Sequence, residues 1–302
     1  MAATATPRVR ALRSPPGTLG LYAKAALPLL PGASMLPFVP GGGGPLPRTR
    51  WTLDGVRADA DQLAAYARVC GFQLRDALPS TYVHVLAFPL HMALMTDGSF
   101  PYGAVGLVHL RNRITQHRPI GVGEAFDLAV FTMPPQAHPK GTTFTIVSEA
   151  RVGGELVWQD ASTMLKRGRP PKGAAPAPPR ARDRGPAAKD LPFVARWRLP
   201  ESLGRQYAAA SGDRNPIHLH ALSAKLLGFP RAIAHGMWTK ARCLAALAPT
   251  LPDAYTVDVA FRRPILLPGA VAFAADPAAG RFAVRSAKDD TKIHLEGRVT
   301  AP

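Results

Sequence analysis

YAAASGDRNPIHLHALSAKLLGFPRAIAHGMW, residues 207–238, brings two acid/base groups and a helix-opening glycine into one short run. Asp213 and His218 stand five residues apart across an Asn-Pro step. Asn215 followed by Pro216 suits a helix N-cap with proline at the first helical position, so the loop holding Asp213 feeds into a short helix bearing His218. A carboxylate and an imidazole meeting at one helix entrance can share a water molecule or a substrate hydroxyl, which is what proton transfer requires. Alone, such a pair reads as a turn cap and a surface histidine. It is not alone, because Ile233-Ala234-His235-Gly236-Met237 opens an apolar helix whose unpaired N–H groups and dipole favour negative charge. Gly236 lets a substrate carbonyl approach that backbone, so its N–H can stabilise a developing enolate oxygen.

Outward from this segment the chain repeats itself. Tyr66-Ala67-Arg68-Val69-Cys70-Gly71-Phe72 parallels Tyr207-Ala208-Ala209-Ala210-Ser211-Gly212-Asp213 at a constant offset of 141, as an internal duplication would produce. In each half an apolar helical stretch precedes alternating strands. The first helix covers about 83–95, followed by strands at 105–114, 124–133, 142–151 and 155–165, with Gly153-Gly154 as a hairpin turn. The second helix covers about 237–248 and stops at Pro249; its strands are 256–262, 270–275, 281–287 and 292–300, the last pair joined through Lys288-Asp289-Asp290. One helix against an antiparallel sheet, made twice, is an α+β architecture. At the offset of 141, Asp213 falls on Phe72, Asn215 on Leu74 and His218 on Ala77, so the first half lacks the acid/base pair.

Between the halves lies KRGRPPKGAAPAPPRARDRGPAAK, residues 166–189, with eight Lys/Arg against one Asp and no apolar period, which reads as a solvated connector. Its Arg167-Gly168-Arg169-Pro170 resembles the core of an AT-hook, whose arginines enter the DNA minor groove, but four such residues in a basic linker arise easily by chance. Nucleic acid is therefore not the expected partner. The expected division is a Pro/Gly-rich arm at 1–47, a first unit at 48–165, the linker at 166–190 and a catalytic unit at 191–302. In the arm, Lys24 and the prolines at 28, 31 and 37 interrupt the apolar stretch 19–39 and Pro40 follows it, so no membrane-spanning helix is expected. The formal charge of +17 draws anions, including nucleic acid, acidic lipid, an acidic carrier protein or coenzyme A phosphates. Two distant cysteines, Cys70 and Cys243, give neither a disulfide framework nor a thiolate metal site and fit a reducing cytoplasm.

Tyr207, Ser211-Gly212-Asp213, Asn215-Pro216-Ile217-His218 and His235-Gly236-Met237 together resemble the MaoC-like hydratase/dehydratase family, relatives of (R)-specific enoyl-CoA hydratases. The resemblance implies a double hot-dog fold, each unit a long helix wrapped by a curved antiparallel sheet. It implies reversible addition of water to a trans-2-enoyl thioester in fatty-acid metabolism, with Asp213 and His218 as the acid/base pair and Gly236 in the oxyanion hole. Asn215 and His235 are assigned to substrate binding, and the substrate is an acyl-CoA or acyl-carrier-protein thioester. No metal or redox cofactor is expected, because the chemistry moves only protons and water and the nine histidines show no HExxH spacing. The family also permits a homodimer. Two rivals remain: a thioesterase on the same fold, told apart by release of free thiol from acyl-CoA, and a basic scaffold protein using the linker; a serine hydrolase is disfavoured because GxSxG is absent.

Overall fold

The computed structural model describes residues 8–27, 39–41, 43–168 and 187–301. Most of the linker, half of the AT-hook-like motif and part of the arm fall outside those residues. Within the arm, strand β1 (Arg8–Leu12) and helix α1 (Thr18–Ala26) are formed. The first unit contains β2 (Thr49–Val56), α2 (Ala60–Cys70), the long helix α3 (Ser80–Met95), and strands β3 (Val108–Gln116), β4 (Phe126–Thr132), β5 (Gln136–His138), β6 (Gly141–Val152) and β7 (Glu155–Arg167). The second contains β8 (Phe193–Leu199), α4 (Leu203–Ser211), short helices α5 (Pro216–Leu219) and α6 (Ala221–Leu226), the long helix α7 (Gly236–Leu247), and β9 (Tyr255–Phe261), β10 (Gly269–Asp276), β11 (Arg281–Ser286) and β12 (Ile293–Thr300).

All strands join one twelve-stranded sheet in the order β1-β2-β4-β6-β7-β3-β9-β12-β11-β10-β8, with β5 paired to β6. Leaving out β1, the order reads the same from both ends once first-unit strands are matched with second-unit ones. The sheet is thus two five-stranded halves joined at β3 and β9. In that seam Thr115 lies opposite Thr256, the two 141 residues apart with their Oγ1 atoms 3.0 Å from each other. The equivalents nearest the seam, Ile120 and Ile265, and Gly121 and Leu266, are 145 apart, and so are Arg113 and Asp258, which face each other in the β3–β9 pair and mark the local two-fold axis. Tyr66 and Tyr207, which are 141 apart, pack together with ring centroids 6.1 Å apart. β1 departs from the antiparallel rule by adding to β2 in parallel at the sheet edge.

Local chemistry explains the elements that carry the site. Asp59 caps α2 by accepting from the Gln62 N–H at 2.8 Å, and Gly71 ends it in the left-handed region at φ 79°. Gly212, at φ 75°, ends α4 the same way, which turns Asp213 out of the helix. Gly153 and Gly154 both take positive φ, as a two-residue hairpin requires. Helix α7 buries Met237, Trp238, Leu244 and Leu247, each contributing roughly 1.5–3 kcal/mol, while the Trp238 Nε1–H donates to the Val69 carbonyl of α2 at 2.8 Å.

One correction concerns the match of His218 with Ala77. Ala77 bridges Gly121 just as Ile233 bridges Leu266, and the Leu78 N–H to Ile120 carbonyl bond repeats as Ala234 N–H to Ile265 carbonyl. Ala77 and Ile233, like Leu78 and Ala234, are 156 apart, so 15 residues more than the offset of 141 that relates α2 to α4 stand before α7. His218, α5 and α6 belong to the insertion and have no first-unit counterpart. Pro79 and Ser80 are the equivalents of His235 and Gly236.

Candidate active site

The insertion brings Asp213, His218 and His235 together. One ligand-type atom from each lies within 4.8 Å of the others. Asn215 caps α5 by accepting from the Ile217 N–H at 3.4 Å, and Pro216 follows at the first helical position. Its own N–H donates to Asp213 Oδ1 at 3.2 Å. Asn215 thus shapes the turn that carries Asp213. The approach of α4 to α5 is close enough that a Cβ on Gly204 would stand 1.8 Å from the His218 carbonyl oxygen.

His218 Nδ1 lies 2.7 Å from the Ile233 carbonyl, an acceptor that fixes the proton on Nδ1 and leaves the Nε2 lone pair free. Its ring stacks on that of His235, centroids 3.7 Å apart and planes 27° from parallel. His235 Nε2 is 3.0 Å from the Asp213 backbone carbonyl and 3.8 Å from Oδ2, and Tyr207 packs on its other side at 4.7 Å. Its Nδ1 is buried without a partner. Burial first, and then the neighbouring imidazole, pushes His235 down to about 3; burial also lowers His218, against the opposing pull of Asp213. Burial alone would push the Asp213 carboxyl up, but His235, His218, the Tyr22 hydroxyl and the Asn215 N–H together hold it below the usual carboxylate range. At neutral pH the site thus presents a carboxylate beside an uncharged imidazole.

Asp213 opens onto a narrow cavity walled by Tyr207 and Ser211 on one side and by His84, Val85 and Phe88 of α3 on the other. Met237, not Gly236, completes that wall. Gly236 begins α7 with no side-chain cap at His235, so the first-turn N–H groups keep their outward polarity. The Phe261 ring sits against it, 2.9 Å from where a Cβ would be. His84 is held from behind by Asp160, Nδ1 to Oδ2 2.7 Å. Asp160, fully buried, also accepts from Asn112 at 2.9 Å and Ser162 at 2.9 Å, and the Asn112 side-chain carbonyl accepts from the buried Lys240 ammonium.

Sequence reading brought out Asp213, His218, His235, Asn215 and Gly236 and missed Tyr22, Gly204, His84 and Phe261. Gly204 sits at an ordinary helix start, and the others come from elements far away in the chain, so no local pattern flags them.

A double hot-dog with a carboxylate and two histidines gathered ahead of its second long helix can carry hydro-lyase chemistry. Comparison with known proteins agrees. Residues 183–276 match the model of the MaoC like domain. The chain is 38% identical over 236 residues to 3-hydroxyacyl-thioester dehydratase X of Mycobacterium tuberculosis, covering 78% of this chain and 82% of that protein. The crystal structure of HtdX from the same organism superposes with a TM-score of 0.72 at 32% identity, over 84% of this chain and 100% of the other. A MaoC-like dehydratase from Phytophthora capsici shares the fold, with a TM-score of 0.69 at 16% identity over 84% and 94% of the two chains. The chain belongs to the MaoC-like hydratase/dehydratase family.

Proposed function

We propose that this chain interconverts a 3-hydroxyacyl thioester and the trans-2-enoyl thioester, removing or adding water, with Asp213 and His218 as the acid/base pair. The observation that carries the reading is the state of that pair: an ionised carboxylate beside an imidazole whose Nδ1–H is tied to Ile233 and whose Nε2 is free. In dehydration one of them takes the proton from C2, the electrons move to the thioester oxygen, and the C3 hydroxyl departs as water. Neither group holds a spare proton at neutral pH, so the proton lifted from C2 is the one delivered to the leaving hydroxyl. That closes the cycle without bulk solvent and keeps both transfers on one face. The Gly236 N–H supplies the enolate oxygen with a donor at the positive end of α7, a contribution typically worth about 10²–10³ in rate.

The substrate is a coenzyme A or acyl-carrier-protein thioester. Supporting an anionic carrier, a groove bordered by Lys140, Arg263 and an Arg262 paired with Glu296 opens one and two residues beyond the ring that covers Gly236. The first unit supplies the wall of the cavity through α3, so a homodimer is not needed to complete the pocket. A cytoplasmic location belongs to the same proposal and rests on Cys70 and Cys243 being unpaired thiols.

Hydration of crotonyl-CoA and of longer enoyl-CoAs, followed by loss of enoyl absorbance, tests the reading. Asp213→Asn and His218→Ala abolish turnover while leaving the thermal transition in place. Wild-type turnover in both variants, or release of free thiol from acyl-CoA instead of hydration, sinks it.

A further inference from the structure

We propose that Tyr22, from the N-terminal arm, is a positioning residue of the active site whose hydroxyl decides which carboxylate oxygen of Asp213 reacts. The proposal rests on Asp213 being catalytic. Tyr22 lies in α1, whose Leu21 and Ala25 are buried in the main core. The arm docks on the turn that carries Asp213: the Thr18 methyl is 3.5 Å from where a Gly212 Cβ would stand. The Tyr22 hydroxyl donates to Asp213 Oδ1 at 2.9 Å and accepts from the Arg214 N–H at 2.7 Å. Oδ1 also accepts from the Asn215 N–H at 3.2 Å. With two donors on Oδ1, Oδ2 is the oxygen left for chemistry, 3.8 Å from His235 Nε2.

The groups facing Asp213 are His218 from α5, His235 before α7, Tyr207 from α4, His84 across the cavity from α3, Arg214 beside it, and Tyr22 from α1. Among the described residues Tyr22 alone gives the carboxylate a side-chain hydrogen bond. Its own phenol stays protonated, because burial and then the adjacent Asp213 charge push its pKa far up, so it acts as a fixed donor and not as a base. It is 191 residues from Asp213 in sequence and lies outside the 183–276 match to the family model.

A donor to a carboxylate favours the ionised form, and losing one such bond raises the carboxyl pKa by about one unit or somewhat more. The experiment is the pH profile of enoyl-CoA hydration by the full chain carrying Tyr22→Phe, 3-fluorotyrosine at position 22, or Asp213→Asn, with a thermal melt of each. Tyr22→Phe moves the acid limb of kcat/KM up by about one pH unit and lowers kcat about tenfold with little change in KM. The fluorinated phenol, a stronger donor, moves the limb the opposite way. A Tyr22→Phe variant that keeps the wild-type acid limb, with or without a lowered melting point, overturns the positioning role while an inactive Asp213→Asn leaves the catalytic reading standing. An active Asp213→Asn overturns both.

Discussion

Replacing Gly204 with alanine tests how finely the insertion is placed. The new Cβ would lie 1.8 Å from the His218 carbonyl oxygen, 2.9 Å from its carbonyl carbon and 3.5 Å from its Cα. Both partners are backbone, one in α4 and one in α5, so no side chain can rotate away. To restore ordinary contact the carbonyl must retreat by about 1.5 Å, and displacement of a catalytic group by about 1 Å can cost about 10²-fold in rate. Overpacking of this size costs about 1–3 kcal/mol, offset in part by up to about 1 kcal/mol from replacing glycine in a helix. The expected outcome is therefore a modest fall in melting temperature with kcat/KM for enoyl-CoA hydration reduced about 100-fold. The double variant Gly204→Ala/His218→Ala should be no worse than His218→Ala alone, because the first change acts through the second residue. Wild-type kcat/KM in Gly204→Ala would refute the reasoning, since the α4–α5 contact would then not set the position of the imidazole.

Other consequences can be checked alongside. Gly236→Ala drives a methyl into the Phe261 ring at 2.9 Å and should lower kcat more than it raises KM; Phe261→Leu in the same chain should recover part of the loss in a steady-state assay. Asp160→Asn leaves His84, Asn112 and Lys240 around a neutral group, and breaking such a buried set should cost about 3–5 kcal/mol in urea unfolding. Acid should also weaken the fold. Burial lowers His91 to about 3, His109 to about 4 and His235 to about 3, so between pH 6.5 and about 4 the unfolded chain binds protons that the folded chain refuses. Stability from these groups is present above pH 6.5 and is lost as pH falls, with a slope of up to about 1.4 kcal/mol per pH unit for each histidine. His109→Phe should remove one of the three contributions, seen as a shallower fall of the urea midpoint from pH 7 to pH 5.

The parts of this fold that are legible in sequence are those with local causes. Asn215-Pro216 caps α5, Gly153-Gly154 turns the β6–β7 hairpin, and the apolar run from Gly236 becomes α7, because cap, turn and period act within a few residues. The offset of 141 also survives for α2 and α4, where Tyr66 packs against Tyr207, but beside the seam the equivalents are 145 apart. An ungapped offset cannot report an insertion, which is why His218 was set against Ala77 when its segment has no counterpart. Strands β2 and β8, and the parallel addition of β1, depend on which edge the chain reaches after crossing the sheet. Tyr22 meeting Asp213 and Lys240 meeting Asn112 are joined by tertiary packing alone.

Comparing the equivalents across the two-fold axis shows how one half became the site and the other its wall. Gly236 faces Ser80 in this comparison, and the Ser80 carbonyl accepts from the Trp158 indole at 2.9 Å while its hydroxyl accepts from Tyr255 at 2.8 Å. The first-unit helix start is thus closed by bonds to its own sheet and to the seam. At the fifth position of each long helix stand His84 and Lys240, also 156 apart, and both enter the same buried network through Asp160 and Asn112. A buried carboxylate bonded to an imidazole and linked through Asn112 to a lysine that burial pushes down to about 7 is costly to break, so it holds α3 and α7 in fixed relation. Because His84 also walls the cavity beside Asp213, that network makes the position of the substrate wall depend on the packing of the two units. The first unit therefore contributes to the reaction by fixing the space in which it occurs, although it carries neither member of the acid/base pair.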